Sequence, residues 1–324
     1  MQKILNEAQK QYRRISKALF LFVALLLITS FVIIFIFSRY DSTNYLIPKD
    51  IMVWIANDIP QFLTAFIVYI FLVKKYEQEE VQKVEINANK FLTYLAICFG
   101  VVYIGNIIGV ILSAVISFVF THSIASNPVS EAISNSNVFV TFIFVVVIGP
   151  IFEELAFRKV IIDRLSKYGE IQAILFSALS FSLFHMNLYQ IFYAFGIGLM
   201  FGYIYIKTRN VKYTILIHAI INAVGGILMP FVATVIAQEI SEHSSLVEIA
   251  VFVIRKLMAI SFLRAYIGIA VIGIYLFITK IKKIKFNVKE NQILKKDTFK
   301  TCYLNVFYIL FTIICTYYTI TNLL

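Results

Sequence analysis

The sequence predicts an all-α, polytopic membrane helix bundle of eight or nine transmembrane helices, and two observations carry that expectation. Of its 324 residues 60% are hydrophobic and only 15% charged, more apolar surface than one soluble core of this length needs. The apolar residues also fall into nine runs that approach the roughly 20 residues a helix needs to cross a hydrocarbon layer about 30 Å thick. Backbone in lipid must satisfy its own hydrogen bonds, and the period-2 alternation of barrel strands is absent, so the runs are expected to be helical.

The first run, Ala18 to Phe37, follows a basic N-terminus, exceeds a signal-peptide core and ends in Ser-Arg-Tyr-Asp, so it is expected to remain as an anchor. Ile51 to Val73 forms the second. The third, Phe91 to Phe120, is uncharged and longer than a perpendicular helix requires, so it must tilt or project; its Gly100, Gly105 and Gly109 permit either close helix contact or a bend. Then come Val138 to Ile151, Ile171 to Phe184, Tyr189 to Ile206, Tyr213 to Ala237, Leu257 to Thr279 and Cys302 to Leu323. Arg264, inside the eighth, is expected to snorkel to the outer surface. No repeat, low-complexity tract or loop long enough for a soluble domain interrupts them, so residues 1–324 read as one membrane domain.

The net charge of +11 arises from short basic clusters between long uncharged stretches, the pattern of juxtamembrane anchoring rather than of nucleic-acid binding. With a cytoplasmic N-terminus, 24 of the 29 Lys and Arg fall in the inside segments 1–17, 74–90, 152–170, 207–212 and 280–300. That bias orients a multi-pass protein of the cell membrane. The Lys280 to Lys300 stretch reads as a solvated loop, or as a contact for anionic lipid. Cys98, Cys302 and Cys315 lie in apolar runs without paired or metal-like spacing, so no disulfide framework is expected.

Ionisable groups at membrane depth are costly, and three places interrupt the apolar pattern. The first is Gly149-Pro150-Ile151-Phe152-Glu153-Glu154-Leu155-Ala156-Phe157-Arg158. Glu154 and Arg158 are four apart, in the favourable acid-before-base order, whereas Glu153 is left about 100° around the helix. Two acids with one base allow a division of labour; a helix end carrying an ordinary ion pair is the plainer reading. The second is Phe181-Ser182-Leu183-Phe184-His185, where a lone histidine is more often a hydrogen-bonded core residue than a catalyst. The third is His218-Ala219-Ile220-Ile221-Asn222, whose spacing puts imidazole and carboxamide on one face, as two donors to one oxygen or as an interhelical clamp. The other histidines, His122 and His243, fall in predicted outer loops.

Together, Glu-Glu-x-x-x-Arg, Phe-x-x-x-His and His-x-x-x-Asn in this order resemble the CPBP family (CAAX protease and bacteriocin-processing). That family comprises membrane proteases that include the eukaryotic CAAX endopeptidase and bacterial relatives linked to bacteriocin immunity and peptide processing. The resemblance covers roughly residues 138 to 232, which form its protease-like core. It implies that Glu153 activates a water for attack on a peptide carbonyl and that His185 helps hold that water. Glu154 and Arg158 would support the site, and His218 and Asn222 would stabilise the oxyanion. A glutamate with two histidines can ligate zinc, but no His-Glu-x-x-His helix is present, so the metal-free glutamate mechanism without a cofactor is favoured.

One expectation conflicts with simple geometry. A fifth helix starting near Ile171 on the inside carries His185 about 21 Å along its length, while Glu153 and His218 sit near the inner boundary. Convergence then requires a tilted or re-entrant fifth segment, or a fourth helix that continues through Glu153 to Arg164. The leading function is an endopeptidase acting on a membrane-associated peptide or protein tail in a cytoplasm-facing cavity. A non-catalytic membrane partner of a sensor or transporter is the alternative. A small-solute transporter ranks last, because paired broken helices and inverted repeats are not seen.

Overall fold

The computed structural model describes residues 2–39, 49–74, 82–241 and 245–324. Every regular element among them is helical. They are α1 (Gln2–Ser38), α2 (Lys49–Val68, running into a π turn at Tyr69–Val73), α3 (Ala88–Thr121) and the short α4 (Pro128–Ser134). Next come α5 (Val138–Tyr168), α6 (Glu170–Phe184), α7 (Leu188–Thr208), α8 (Val211–Ala237) and α9 (Leu246–Ile281). The chain ends in α10 (Lys295–Cys302) and α11 (Val306–Thr321), bent by 70° from each other.

Six of these, α1, α3, α5, α7, α8 and α9, are long and apolar enough to cross a membrane, and α10 with α11 makes a seventh when counted as one span. The chain is a multi-pass membrane protein. The count stops short of the nine runs because α6 has only 15 residues, and because the run on α2 includes side chains that fall outside the described set. His243 also lies outside the described residues. The three cysteines are free and buried.

Asparagine supplies most of the helix starts. Asn87, Asn127, Asn137, Asn187, Asn210 and Asn305 each accept a backbone N–H from the first turn of the helix they precede. Each cap satisfies a donor that the helix itself cannot, worth about 1 kcal/mol.

The glycines of α3 serve close contact rather than a bend, since α3 is one unbroken helix. A Cβ on Gly105 would lie 2.5 Å from the Cα of Tyr193, and one on Gly109 the same distance from the Tyr189 carbonyl oxygen, so α7 is seated backbone to backbone on α3. On its other flank α3 meets α9 where Gly100 faces Gly273, and a Cβ on Gly273 would stand 1.8 Å from the Ala96 oxygen. Such small-residue crossings are how helices associate where lipid is as apolar as leucine. On its far side α7 packs against α6, while α1 packs against α2 and α11.

Described residues of the basic segments 74–90, 152–170, 207–212 and 280–300 meet at one end of the bundle. Val84 N–H donates to Thr208 O at 2.8 Å, Lys207 Nζ to Lys285 O at 2.5 Å, and Ile293 N–H to Tyr168 O at 3.0 Å. There the start of α1 is held by Tyr12, edge-on to Phe176 at 5.2 Å, and by Asn305 donating to Ser16 Oγ at 3.2 Å. At the opposite end Asn187 donates to Asn127 at 3.1 Å, Trp54 to Ser136 at 2.7 Å, and Asn322 to Met186 O at 3.1 Å. Arg158, counted with the loops, is wholly buried in the middle of α5.

Candidate active site

The helix carrying Glu153 does not end where its apolar run ends. It continues to Tyr168 and turns at Gly169, whose φ of 136° few side-chain-bearing residues adopt, into α6. Glu153 stands fifteen residues before Tyr168, and His185 fifteen after Glu170. Both are therefore roughly 22 Å from the turn, which removes the conflict in depth. A second hairpin, α7 to α8, is locked to the first by Arg209 Nη1 at 3.4 Å from Asp163 Oδ1, an oxygen that also accepts from Tyr205 at 2.8 Å. From that bridge Glu154 is nine residues back along α5 and His218 nine forward along α8, about 13 Å in each case, so the two side chains meet.

The α5 segment Gly149–Glu154 lies between two π-helical stretches, Phe142–Ile148 and Leu155–Ile162. Single π turns inside α-helices recur at functional sites. In the register set there, Gly149 N–H bonds the Phe144 oxygen, five residues back. The next donor in that register is Pro150, which has no N–H, so Val145 O loses its partner. Asn222 Nδ2 takes the place, donating to Val145 O at 2.8 Å across from α8.

The two glutamates are inequivalent. Glu154 is fully buried, its Oε2 3.1 Å from Arg158 Nε and its Oε1 accepting from His218 Nδ1–H at 3.1 Å. Glu153 keeps 17% of its side chain exposed, and its Oε2 lies 3.6 Å from His218 Nε2. Arg158 is also fully buried; its guanidinium sits over the ring of Phe181 at 4.2 Å and that of Phe201 at 5.4 Å, with both terminal nitrogens lacking a hydrogen-bond partner. In His185 Nδ1 lies 2.8 Å from Phe181 O, which can only accept, so Nδ1 carries the proton and Nε2 is the open nitrogen. His185 is within electrostatic range of Glu153, His218 and Arg158.

The structure thus brings Glu153, Glu154, Arg158, His185 and His218 together, with Asn222 one turn beyond His218. Nδ1 of His218 is held by Glu154 and one amide hydrogen of Asn222 by Val145 O, which leaves His218 Nε2 and the second amide hydrogen of Asn222 for another partner. Sequence reasoning left out the aromatic seat. Phe181 holds His185 through its carbonyl, packs edge-on to the rings of His185 at 4.7 Å and His218 at 6.0 Å, and carries Arg158 on its face. Its place four residues before His185 was visible, but its role was not. Tyr193, whose hydroxyl accepts from Gln190 at 2.7 Å, lies within electrostatic range of Glu153 and had no signal in an aromatic-rich chain.

Glu153, His185 Nε2 and His218 Nε2 are the polar atoms of the cluster left to meet water or substrate, with His218 Nε2 3.6 Å from Glu153 Oε2. Among the described residues no group of three His, Cys, Asp or Glu side chains is arranged to hold a metal ion. The cluster is a pair of carboxylates, one neutralised and one accessible, with two imidazoles inside an apolar helical bundle. Residues 135–224 match the family model for the type II CAAX prenyl endopeptidases, Rce1-like. No curated protein and no solved structure matches the chain.

Proposed function

We propose that the protein is an intramembrane endopeptidase that hydrolyses peptide bonds of membrane-associated peptides or protein tails by a glutamate-activated water. The observation that carries this reading is the inequivalence of Glu153 and Glu154. With Glu154 neutralised by Arg158 and bonded to His218, Glu153 is the carboxylate left to accept a proton from water. The open Nε2 of His185 accepts a hydrogen bond from the same water and orients it.

His218 is held by Glu154 through Nδ1, and its Nε2 side donates to the oxyanion that develops on the scissile carbonyl. The second amide hydrogen of Asn222 serves as the partner donor, its first remaining on Val145 O. No covalent enzyme intermediate forms and no metal takes part. Glu154 and Arg158 act by holding His218 rather than by touching substrate.

The topology that accompanies this function has nine crossings. In this reading α2 and the short α6 both span, supported by contacts of the described connections that fall alternately at the two bundle ends. The end where the basic segments gather is cytoplasmic, with the N-terminus there, and substrate reaches Glu153 from that side of the cell membrane. The matched family is named for prenylated CAAX substrates; for this chain the substrate class is the wider one of membrane-tethered peptides, in peptide processing or bacteriocin immunity.

The test is cleavage of a membrane-peptide library by detergent-purified protein, comparing the unsubstituted chain with Glu153→Gln, with and without a strong chelator. Chelator-resistant cleavage that the substitution abolishes is the expected result. Chelator-sensitive cleavage replaces the glutamate mechanism with a zinc site on Glu153, His185 and His218. Full cellular function of Glu153→Gln sinks the protease reading in favour of a membrane partner in which the polar cluster is only an interhelical lock.

A further inference from the structure

The Lys280 to Lys300 stretch is divided by the fold. Lys295, Lys296 and Lys300 lie on or beside α10, whereas Lys280 and Lys283 meet Lys90, from the first turn of α3, around a cavity of about 390 Å³ between α3, α7 and α9. The cavity lies at the basic end of the bundle and is floored by Ile97, Met200 and Phe277. All three lysines are exposed, and none is in an ion pair among the described residues.

This placement of charge is not explained by helix stability. Lys280 and Lys283 complement the negative C-terminal end of α9, but Lys90 is the third residue of α3, where a cation opposes the helix dipole and no acid in the first turn offsets it. Three like charges at one mouth repel one another and gain from a shared counter-anion. The mouth is cationic and the floor apolar, and the cavity opens where the hydrocarbon layer gives way to the basic ends of the helices. An anion carrying a hydrocarbon chain matches all three features.

We infer that this cavity binds one anionic phospholipid, its phosphate held by Lys90, Lys280 and Lys283 and the upper part of an acyl chain lying against Ile97, Met200 and Phe277. The site is separate from the glutamate cluster, and its existence does not depend on the catalytic reading. Bound there, the lipid ties the start of α3 to the end of α9, the two helices that already cross at Gly100 and Gly273.

The full chain in delipidated micelles is titrated with phosphatidylglycerol, phosphatidylcholine or glycerol 1-phosphate, and bound lipid is counted by native mass spectrometry. Three forms are compared: the unsubstituted chain, a Lys90→Gln, Lys280→Gln, Lys283→Gln variant, and a control with Lys295→Gln, Lys296→Gln and Lys300→Gln. One phosphatidylglycerol per chain is expected, bound roughly tenfold or more tightly than phosphatidylcholine, with that preference lost in the first variant and kept in the control. Equal losses in the two variants reduce the effect to general surface charge and overturn the site. So does equal binding of the two lipids, and competition by glycerol 1-phosphate at the lipid's own concentration would make it a free-phosphate site instead. All six lysines are exposed, so both variants are expected to fold, and unchanged thermal unfolding without lipid verifies that they do.

Discussion

Replacing Glu154 by Gln isolates one charge in the site. Glutamine has the size of glutamate, and its amide oxygen still accepts from His218 Nδ1–H, so the contact to α8 survives. The counter-charge of Arg158 is lost. That guanidinium is 0% exposed and its terminal nitrogens already lack hydrogen-bond partners, leaving only the faces of Phe181 and Phe201 to stabilise it. Breaking a buried pair from one side costs about 3–5 kcal/mol, and the full burial here places the loss in that range. Glu153→Gln removes only a 3.6 Å approach to His218 at a partly exposed carboxylate, and is expected to cost under about 1 kcal/mol. Glu154→Gln combined with Arg158→Met removes both charges and seats a thioether between the two rings, so stability returns to within about 1.5 kcal/mol of the unsubstituted chain. Equilibrium unfolding in mixed micelles reads all three differences. Equal destabilisation by the two single glutamine substitutions, or a double variant no more stable than Glu154→Gln, would refute the division of roles between the carboxylates.

Three further outcomes follow from the packing. Gly273→Ala forces a Cβ to 1.8 Å from the Ala96 oxygen and is expected to lower stability by more than about 2 kcal/mol, while Gly268→Ala, with nothing within 4 Å, changes it by less than about 0.5 kcal/mol or raises it slightly; thermal unfolding of the pair checks both. Gly169→Ala must hold a side chain at φ 136°, which costs about 1–3 kcal/mol, and a larger fractional loss of cleavage than of folded protein is expected because the turn sets the depth of His185 against Glu153. Asn222→Ala leaves Val145 O without a donor and costs about 1–2 kcal/mol in the same unfolding assay; Pro150→Ala supplies a backbone N–H to that oxygen, so in its background the cost falls below about 0.5 kcal/mol.

How much of this was legible in the sequence depends on which physical signal each feature leaves. Apolar runs mark helices wherever the solvent is lipid, so the nine runs were found. The end of the fourth run was legible only as one of two ways to bring Glu153 and His185 together: α5 runs on through Glu153 and Arg158 to Tyr168 because those charges are satisfied by α8 and by an aromatic seat, contacts that no local pattern encodes. The pairing of Glu154 with Arg158 was readable from four-residue spacing, since both lie on one helix. The capture of His218 by Glu154 was not, because it depends on the Asp163 to Arg209 bridge setting two hairpins at a common depth. The charge pattern counted Arg158 with the loops, since a burial-compensated arginine has the same composition signal as a loop arginine.

Asn222 shows where a motif and a mechanism separate. The spacing of His218 and Asn222 suggested two donors on one oxygen, yet one amide hydrogen of Asn222 completes a helix that Pro150 leaves incomplete five residues beyond Val145. A loss of cleavage in Asn222→Ala therefore has two sources: a missing oxyanion donor, or a displaced α5 that moves Glu153. The Pro150→Ala background distinguishes them, because it repairs the helix without restoring the donor. If the oxyanion role is real, cleavage stays low there although stability has returned, by the roughly 10²–10³-fold that one such donor contributes. If cleavage returns with stability, Asn222 positions α5 and His218 is left as the sole side-chain donor at the reacting carbonyl.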